Sequence, residues 1–206
     1  MEAATTSTSK AFAAHQDEAA GLGAPRATPA DAFRAALRAF VRGPRLDMEK
    51  LAQDLGISKT TLYRWTGPRD KLLSEILCFF GEEAARIGRE ASEGATGVRR
   101  IELFTRGFVE SIVNFEPHRR FVRSETELAF RLVLTRGSQV QSTVVERFAE
   151  VLREEEASGN LGLRAPAGDL AYAAIRIIEG FIYNDALTED SPDVEKAVSI
   201  VCLLVD

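Results

Sequence analysis

The feature that most constrains the fold of this chain is the pair Ala52 and Gly56, a small residue and a glycine four positions apart. Two helices can cross at a steep angle only where a small side chain lies at their contact, and the turn between them needs a residue that tolerates a left-handed backbone. Four apolar side chains around this pair have the spacing that fixes such a crossing: Leu51, Leu55, Ile57 and Leu62. The segment 46–65 is therefore predicted to be a helix-turn-helix.

Helix caps and an outward polar face support this prediction. Asp47 and Ser58 stand where N-caps of the second and third helices are expected. The outward side chains of the third helix combine cations, hydroxyls and a phenol, which can bind phosphate, guanine or a thymine methyl: Lys59, Thr60, Thr61, Tyr63 and Arg64. We interpret this face as a binding surface for double-stranded DNA. The alternative is a surface helical hairpin that only packs against the rest of the protein.

Charge is distributed unevenly along the chain, although the net charge is only -5. Residues 31–75 carry nine basic and six acidic side chains, whereas residues 138–206 carry five basic and thirteen acidic ones. A phosphate-binding face needs only local positive potential. The pattern therefore indicates a small basic contact domain joined to an acidic body.

Helical periodicity predicts an all-α fold of about nine helices, without a strand pair joined by a hairpin turn. Residues 1–28 are rich in small and polar residues without periodicity, and we expect a disordered arm. A three-helix DNA-binding domain follows at 29–70, and a larger helical domain at 71–206. In the larger domain the pattern predicts helices at 68–91, 98–115, 121–134, 138–157, 167–187 and 192–204.

The stretch 51–65, LAQDLGISKTTLYRW, followed by RDKLL at 69–73, resembles the N-terminal domain of TetR-family transcriptional regulators. Chain length and the all-helical remainder extend the resemblance to 29–206. The resemblance implies an Ω-shaped homodimer. It also implies that 71–206 is a ligand-binding and dimerisation domain, with the dimer interface on the last two helices.

Carried over position by position, the resemblance also names DNA-contacting residues. Trp65 stands where the family often has Tyr or His at the DNA backbone, and Arg69 stands where it commonly has a phosphate-binding Lys. The expected DNA-contacting residues are Met48, Ser58, Lys59, Thr60, Thr61, Tyr63, Arg64, Trp65 and Arg69.

Two positions depart from the family pattern. Thr66 replaces the usual Phe, and the second helix begins Asp47-Met48-Glu49 instead of with a Thr-rich segment. A carboxylate at Glu49 would repel phosphate unless it accepts a hydrogen bond from a cytosine amino group or turns aside. The start of the second helix therefore fits a DNA contact least well.

A second resemblance concerns the effector. The residues LYRW at 62–65 and ETELAFRL at 125–132 are similar to the subgroup that contains QsdR, a regulator of lactone-degrading quorum-quenching genes. Family members hold a ligand among helices four to eight. Together with the aromatic content of that region, this predicts a hydrophobic small-molecule effector that is acyl-chain or lactone-like.

Aromatic side chains and polar groups within the apolar helices are the candidate ligand contacts. They are Phe80, Phe104, Phe108, Phe121, Phe148, Tyr172, Arg176, Glu179 and Asn184. Taken singly, each Phe fits ordinary core better. Arg176 and Glu179, three positions apart on one helix, can also simply pair with each other.

Small and apolar residues on the last two predicted helices favour close packing across a two-fold axis: Ala173, Ala174, Ile177, Gly180, Phe181, Asn184, Ala197, Ile200, Val201 and Leu204. The alternative is burial within one chain.

We therefore expect a dimeric, ligand-responsive repressor that leaves its operator when the effector binds. The sequence lacks HExxH, CxxC and Ser/His/Asp-like spacings, so no enzyme activity, metal or other cofactor is expected. No segment approaches the roughly 20 apolar residues of a membrane span, and residues 1–10 lack an apolar signal core. A cytoplasmic protein without membrane contact is expected. The alternatives are a helical protein-interaction module and a small helical enzyme that uses Glu179 with His118.

Overall fold

The computed structural model describes four ranges of the chain, 27–43, 45–135, 137–184 and 191–206. These ranges contain ten α-helices and no β-strand, which confirms the predicted all-α class. The predicted arm at 1–28 lies outside the described residues except for its last two positions. The end of the predicted helix 167–187 lies outside them as well.

The DNA-binding segment consists of α1 (Pro29–Arg42), α2 (Met48–Asp54) and α3 (Lys59–Thr66). Thr28 begins α1 with a capping box, because its hydroxyl accepts from the Asp31 N–H while the Asp31 carboxylate accepts from the Thr28 N–H. The side chains of Asp47 and Ser58 cap α2 and α3, as predicted. Each helix thus begins where the sequence supplies an acceptor for its free N–H groups.

The predicted crossing of α2 and α3 is present. Ala52 is buried, and its carbonyl accepts a 3.0 Å hydrogen bond from the Ile57 N–H. Gly56 between them has φ of 64°, a left-handed conformation that favours glycine. Leu62 is fully buried where α3 packs against α1 and α2. This packing fixes the direction in which the outward face of α3 points.

The remaining helices are α4 (Arg69–Ala91), α5 (Gly97–Val113), α6 (Glu116–Ser124), α7 (Thr126–Leu134), α8 (Gln139–Ala157), α9 (Ala167–Ile182) and α10 (Val194–Cys202). The single helix predicted at 121–134 is instead two helices, because the backbone at Glu125 leaves the helical region with φ of -137° and ψ of 50°. This break raises the number of helices from the predicted nine to ten in the described ranges. Within those ranges no helix is both long and apolar enough to cross a membrane.

Helix α4 is central to the larger domain and packs against α5 and α8. Gly88 lets α4 and α5 approach closely, since a Cβ added there would lie 2.7 Å from the Phe104 carbonyl oxygen. The Phe104 ring meets the Phe148 ring of α8 edge-on, with centroids 5.3 Å apart. Because α4 follows directly on α3, this core supports the DNA-binding segment.

We predict that Leu62→Ala lowers the free energy of unfolding by about 2–5 kcal/mol, because it leaves a cavity where α3 is anchored. Urea denaturation followed by circular dichroism measures the loss. Tyr63→Ala is the matched control, since Tyr63 is 45% exposed, and we expect a change within about 0.5 kcal/mol. Equal losses in the two variants would contradict the assignment of Leu62 as the anchor.

Candidate DNA-binding face and ligand cavity

The outward face of α3 presents a compact set of polar side chains. Lys59, Thr60, Tyr63 and Arg64 are all exposed. Ser58 accepts a 3.1 Å hydrogen bond from the Thr61 N–H, and the two hydroxyls lie 2.9 Å apart. The cap therefore fixes the first turn of α3, and the four exposed side chains share its outward face.

Glu49 turns toward the same face and pairs with Lys59. The Lys59 Nζ lies 2.8 Å from Oε2 of Glu49, and both side chains are more than half exposed. The hydrogen bond that Lys59 donates to Glu49 raises the pKa of Lys59, so the lysine stays cationic. In this structure the negative charge of Glu49 is therefore offset by Lys59. A contact of Glu49 with a cytosine amino group stays a prediction.

Met48 and Trp65 lie inward rather than on the outward face. The Met48 side chain is only 6% exposed and belongs to the core, so its contact with DNA stays a prediction that this burial does not favour. Trp65 is half-buried and packs against the core. Thr66, which replaces the family's Phe, is buried and donates a hydrogen bond to the Leu62 carbonyl at 3.0 Å. These three side chains shape the motif from within.

Arg69 also turns inward, and its phosphate contact stays a prediction that this orientation does not favour. Its Nε donates to the Leu46 carbonyl at 2.8 Å, while Nη1 and Nη2 donate to the two carboxylate oxygens of Glu125 at 2.8 and 2.5 Å. Both side chains are mostly buried. The physical reason is that a bidentate arginine–carboxylate pair satisfies both partners. Arg69 thus joins the DNA-binding segment to the α6–α7 break.

A second contact between the segment and the larger domain comes from α6. Arg120 donates from Nη2 to the Phe40 and Val41 carbonyl oxygens, at 3.1 and 3.0 Å, near the C-terminal end of α1. A cation there satisfies free helix carbonyls. The Phe121 ring packs edge-on against Phe40 at 5.7 Å. Sequence reasoning missed Arg120 and Glu125, because periodicity carries no signal for contacts between residues so far apart in the chain.

The larger domain contains an apolar cavity with walls from α4 to α9. It holds about 700 Å³ of space free of protein atoms, including the part that opens to solvent. Apolar side chains dominate the wall, among them Leu77, Phe80, Phe108, Ile112, Ile175 and Ile178.

Besides Glu83, four side chains supply polar groups to this cavity. Glu179 on α9 is 6% exposed, and burial raises the pKa of its carboxyl to about 7 despite the pairing with Arg176. His118 Nε2 and the Tyr183 hydroxyl lie 3.0 Å apart, and burial lowers the pKa of His118 to about 4. Ser111 donates its hydroxyl to the Phe108 carbonyl at 2.7 Å. The cavity therefore combines an apolar body with a few fixed polar atoms.

The cavity brings together three of the predicted ligand residues, namely Phe80, Phe108 and Glu179. Arg176 is not on the wall, but it pairs with Glu179 and donates to the Leu134 carbonyl at 2.9 Å. The proposed pairing of Arg176 with Glu179 is thereby confirmed.

The other predicted ligand residues lie elsewhere. Phe104 and Phe148 are fully buried against each other, and Phe121 faces α1. Tyr172 is 41% exposed, and Asn184 is not among the residues that line the cavity. Effector contacts by these five stay predictions that the cavity does not favour. The wall instead includes Ser111 and Tyr183, which sequence reasoning had not selected; Tyr183 lies one helical turn after Glu179, a spacing that could have identified it.

Comparison with known families decides the class of this fold. A family model described as tetracyclin repressor-like, C-terminal domain, matches residues 96–206, more than half of the chain. The chain belongs to the TetR family. It has the all-helical fold of a DNA-binding transcriptional regulator, with an N-terminal helix-turn-helix, and the family's members are regulators rather than enzymes. A search of curated proteins found no match.

Solved structures of the family agree with this assignment. The TetR-family transcriptional repressor QsdR of R. erythropolis is 27% identical, with 86% of this chain and 93% of QsdR covered and a TM-score of 0.76. The repressor AlkX of Dietzia sp. is 22% identical over 88% and 95% of the two chains, with a TM-score of 0.60. FadR of Bacillus halodurans is 15% identical over 89% and 96%, with a TM-score of 0.56. The similarity to QsdR expected from the sequence is confirmed, and the other two show the fold.

We predict that the double variant Lys59→Ala/Tyr63→Ala binds duplex DNA from the upstream region of its own gene at least about 10-fold more weakly. Both side chains are exposed on α3, and loss of one phosphate contact lowers the slope of log affinity against log salt by about 0.9. Fluorescence anisotropy at several salt concentrations measures both quantities.

The control for that variant is Arg164→Ala, which removes one exposed cation from the loop between α8 and α9. Its DNA affinity and salt slope should equal those of the unchanged protein. Thermal unfolding should show that the double variant stays folded. Unchanged DNA affinity in the folded double variant would refute the assignment of α3 as the DNA-reading face.

Proposed function

We propose that this protein is a dimeric, sequence-specific repressor in the cytoplasm that a hydrophobic small molecule releases from its operator. The observation that carries the proposal is a shared wall, since α6 and Phe80 belong both to the apolar cavity and to the contact with α1. Repression rather than activation is favoured by the 27% identity to QsdR, which is a transcriptional repressor.

A route from the cavity to the DNA-binding segment is built from aromatic and polar contacts. Phe80 lines the cavity, and its ring packs against Phe115 at 4.5 Å and against Phe40 of α1 at 5.8 Å. On α6, His118 lines the cavity, and Arg120 two residues later binds the end of α1. A ligand that displaces Phe80 or α6 would therefore also move α1. This movement would change the distance between the α3 helices of the two subunits, so that they no longer fit DNA.

The effector is proposed from the shape and chemistry of the cavity. A wall of mostly aliphatic and aromatic side chains with few polar atoms is typical of sites for lipophilic molecules. An acyl-chain or lactone-like molecule would place its chain against Phe108 and Ile178 and its polar group near Glu179. The resemblance of 62–65 and 125–132 to the subgroup of QsdR supports the lactone.

We place the dimer interface on α9 and α10. Gly180 on α9 is exposed with open space around its Cα, and Leu203 just after α10 is 72% exposed. Ile177 and Phe181, one turn apart on α9, are only half-buried, and a second copy related by two-fold symmetry can cover this apolar face. Three predicted interface residues are already buried within the chain and support this face from inside: Ala174, Ala197 and Val201. In such a dimer the two copies of α3 would lie about 34–36 Å apart and meet successive major grooves.

Gly180→Arg should convert the dimer into a monomer, because a long charged side chain would keep the two copies of α9 apart. Sedimentation velocity at micromolar concentration measures the change. Gly162→Arg is the matched control, since a Cβ at Gly162 also meets open space but lies in the α8–α9 loop; it should leave the sedimentation coefficient unchanged. A Gly180→Arg protein that still sediments as a dimer would exclude this face.

Glu125→Gln should weaken the response of DNA binding to effector. With N-decanoyl homoserine lactone as the probe, we expect the ligand to lower DNA affinity of the unchanged protein by about 5-fold or more, and to have a smaller effect in the variant because Arg69 loses its charged partner. Anisotropy titrations with and without the lactone measure the ratio.

Glu116→Gln is the control for that experiment, since Glu116 pairs only with Arg123 on the surface of α6. It should keep the full response. Equal responses of the two variants would remove Arg69 and Glu125 from the coupling route. A lactone that leaves DNA affinity of the unchanged protein unaltered would refute the proposed effector class.

A further inference from the structure

Every charged side chain on the cavity wall, as far as the chain is described, is acidic. The wall contains Glu83 of α4 and Glu179 of α9, and it contains no lysine or arginine. His118 is uncharged at neutral pH, because burial lowers its pKa to about 4. A ligand carboxylate or phosphate in this cavity would therefore meet like charges and no opposing cation on the wall.

The wall also offers hydrogen-bond acceptors in Glu83, Glu179 and Ser111, whereas His118 and Tyr183 lie within hydrogen-bond distance of each other. Arg176 engages only Oε2 of Glu179, and in the described part of the chain Oε1 has no hydrogen-bond partner. The hydroxyl proton of Ser111 is used by the Phe108 carbonyl, which leaves Oγ with lone pairs alone. Burial of Glu179 raises its pKa to about 7, which shows that the cavity solvates this carboxylate poorly. A donor from a ligand would restore the missing solvation.

We propose that this cavity binds molecules that join an apolar body to a hydrogen-bond donor without negative charge, an amide N–H or an ammonium group, and that the donor binds Oε1 of Glu179. The inference rests on the proposed function of the cavity as the effector site. It narrows the class of effector molecules, because esters offer no proton to Glu179 and free fatty acids add a charge of the same sign. Amides and amines both supply an N–H donor, but only the ammonium group is charged. This difference in charge distinguishes the two experimentally.

Isothermal titration calorimetry at pH 8 tests the head group with four probes of one chain length: decanamide, decylamine, methyl decanoate and sodium decanoate. We expect decanamide and decylamine to bind at least about 10-fold more tightly than methyl decanoate and decanoate, the factor for one hydrogen bond to a charged group. Direct titration does not depend on DNA or on the dimer.

Two variants assign the preference to Glu179. Glu179→Leu should make decanamide and methyl decanoate bind equally, because the acceptor is gone. Glu179→Gln keeps the size and should weaken decylamine by about 10-fold, with a smaller effect on decanamide, because an amide oxygen accepts without charge. Glu90→Gln is the control, since Glu90 is exposed on α4 and pairs with Arg86; it should bind all four probes as the unchanged protein does.

The outcomes separate this inference from the proposed function. Equal binding of all four probes, or a donor preference that survives in Glu179→Leu, would overturn the inference and leave an apolar effector site in place. Absence of binding by every probe would overturn the apolar effector itself. Tighter binding of decanoate than of decanamide would overturn the assignment of the polar wall atoms as hydrogen-bond acceptors.

Discussion

The bidentate ion pair between Arg69 and Glu125 is the link on which the relation between the two parts of the chain depends. Arg69 begins α4 directly after the helix-turn-helix, and the same guanidinium also binds the Leu46 carbonyl before α2. Glu125 lies between α6 and α7. This mostly buried pair therefore holds the start of α4 against α6 and α7, which line the cavity. Through the Leu46 carbonyl it also holds the residues before α2. Two planar groups with two parallel hydrogen bonds permit little rotation. The pair therefore holds the start of α4 in a fixed orientation to the end of α6.

Much of this arrangement could be predicted from the sequence, and the reasons are local. Asp47 and Ser58 cap their helices through groups three residues away or less, and Gly56 adopts the left-handed conformation that the turn requires. Such features depend on neighbours in the chain, so spacing reveals them. The outward face of α3 follows from the same periodicity, since Leu62 is buried and fixes which side is free.

Contacts between distant parts of the chain could not be predicted from the sequence, because spacing along the chain carries no signal for them. Arg69 was expected at a phosphate, yet a carboxylate 56 positions later in the chain binds it. Met48 is drawn into the core, and the pair of His118 with Tyr183 joins residues on α6 and at the end of α9. Aromatic periodicity could not separate Phe80, on the cavity wall, from Phe104 in the packed core, because both lie on apolar helix faces.

The ion pair between Glu49 and Lys59 also bears on how selective this protein is among DNA sequences. Lys59 reaches a phosphate only by leaving a carboxylate 2.8 Å away, and that carboxylate then remains near the anionic backbone. A DNA sequence that offers Lys59 only a phosphate gains little free energy of binding from this exchange, because one ion pair replaces another. A site that also places a cytosine amino group near Glu49 gives the released carboxylate a new donor. With α3 bound to DNA as proposed, this internal pair of opposite charges would lower the affinity for DNA in general and would favour the sequences that provide a partner for both Lys59 and Glu49.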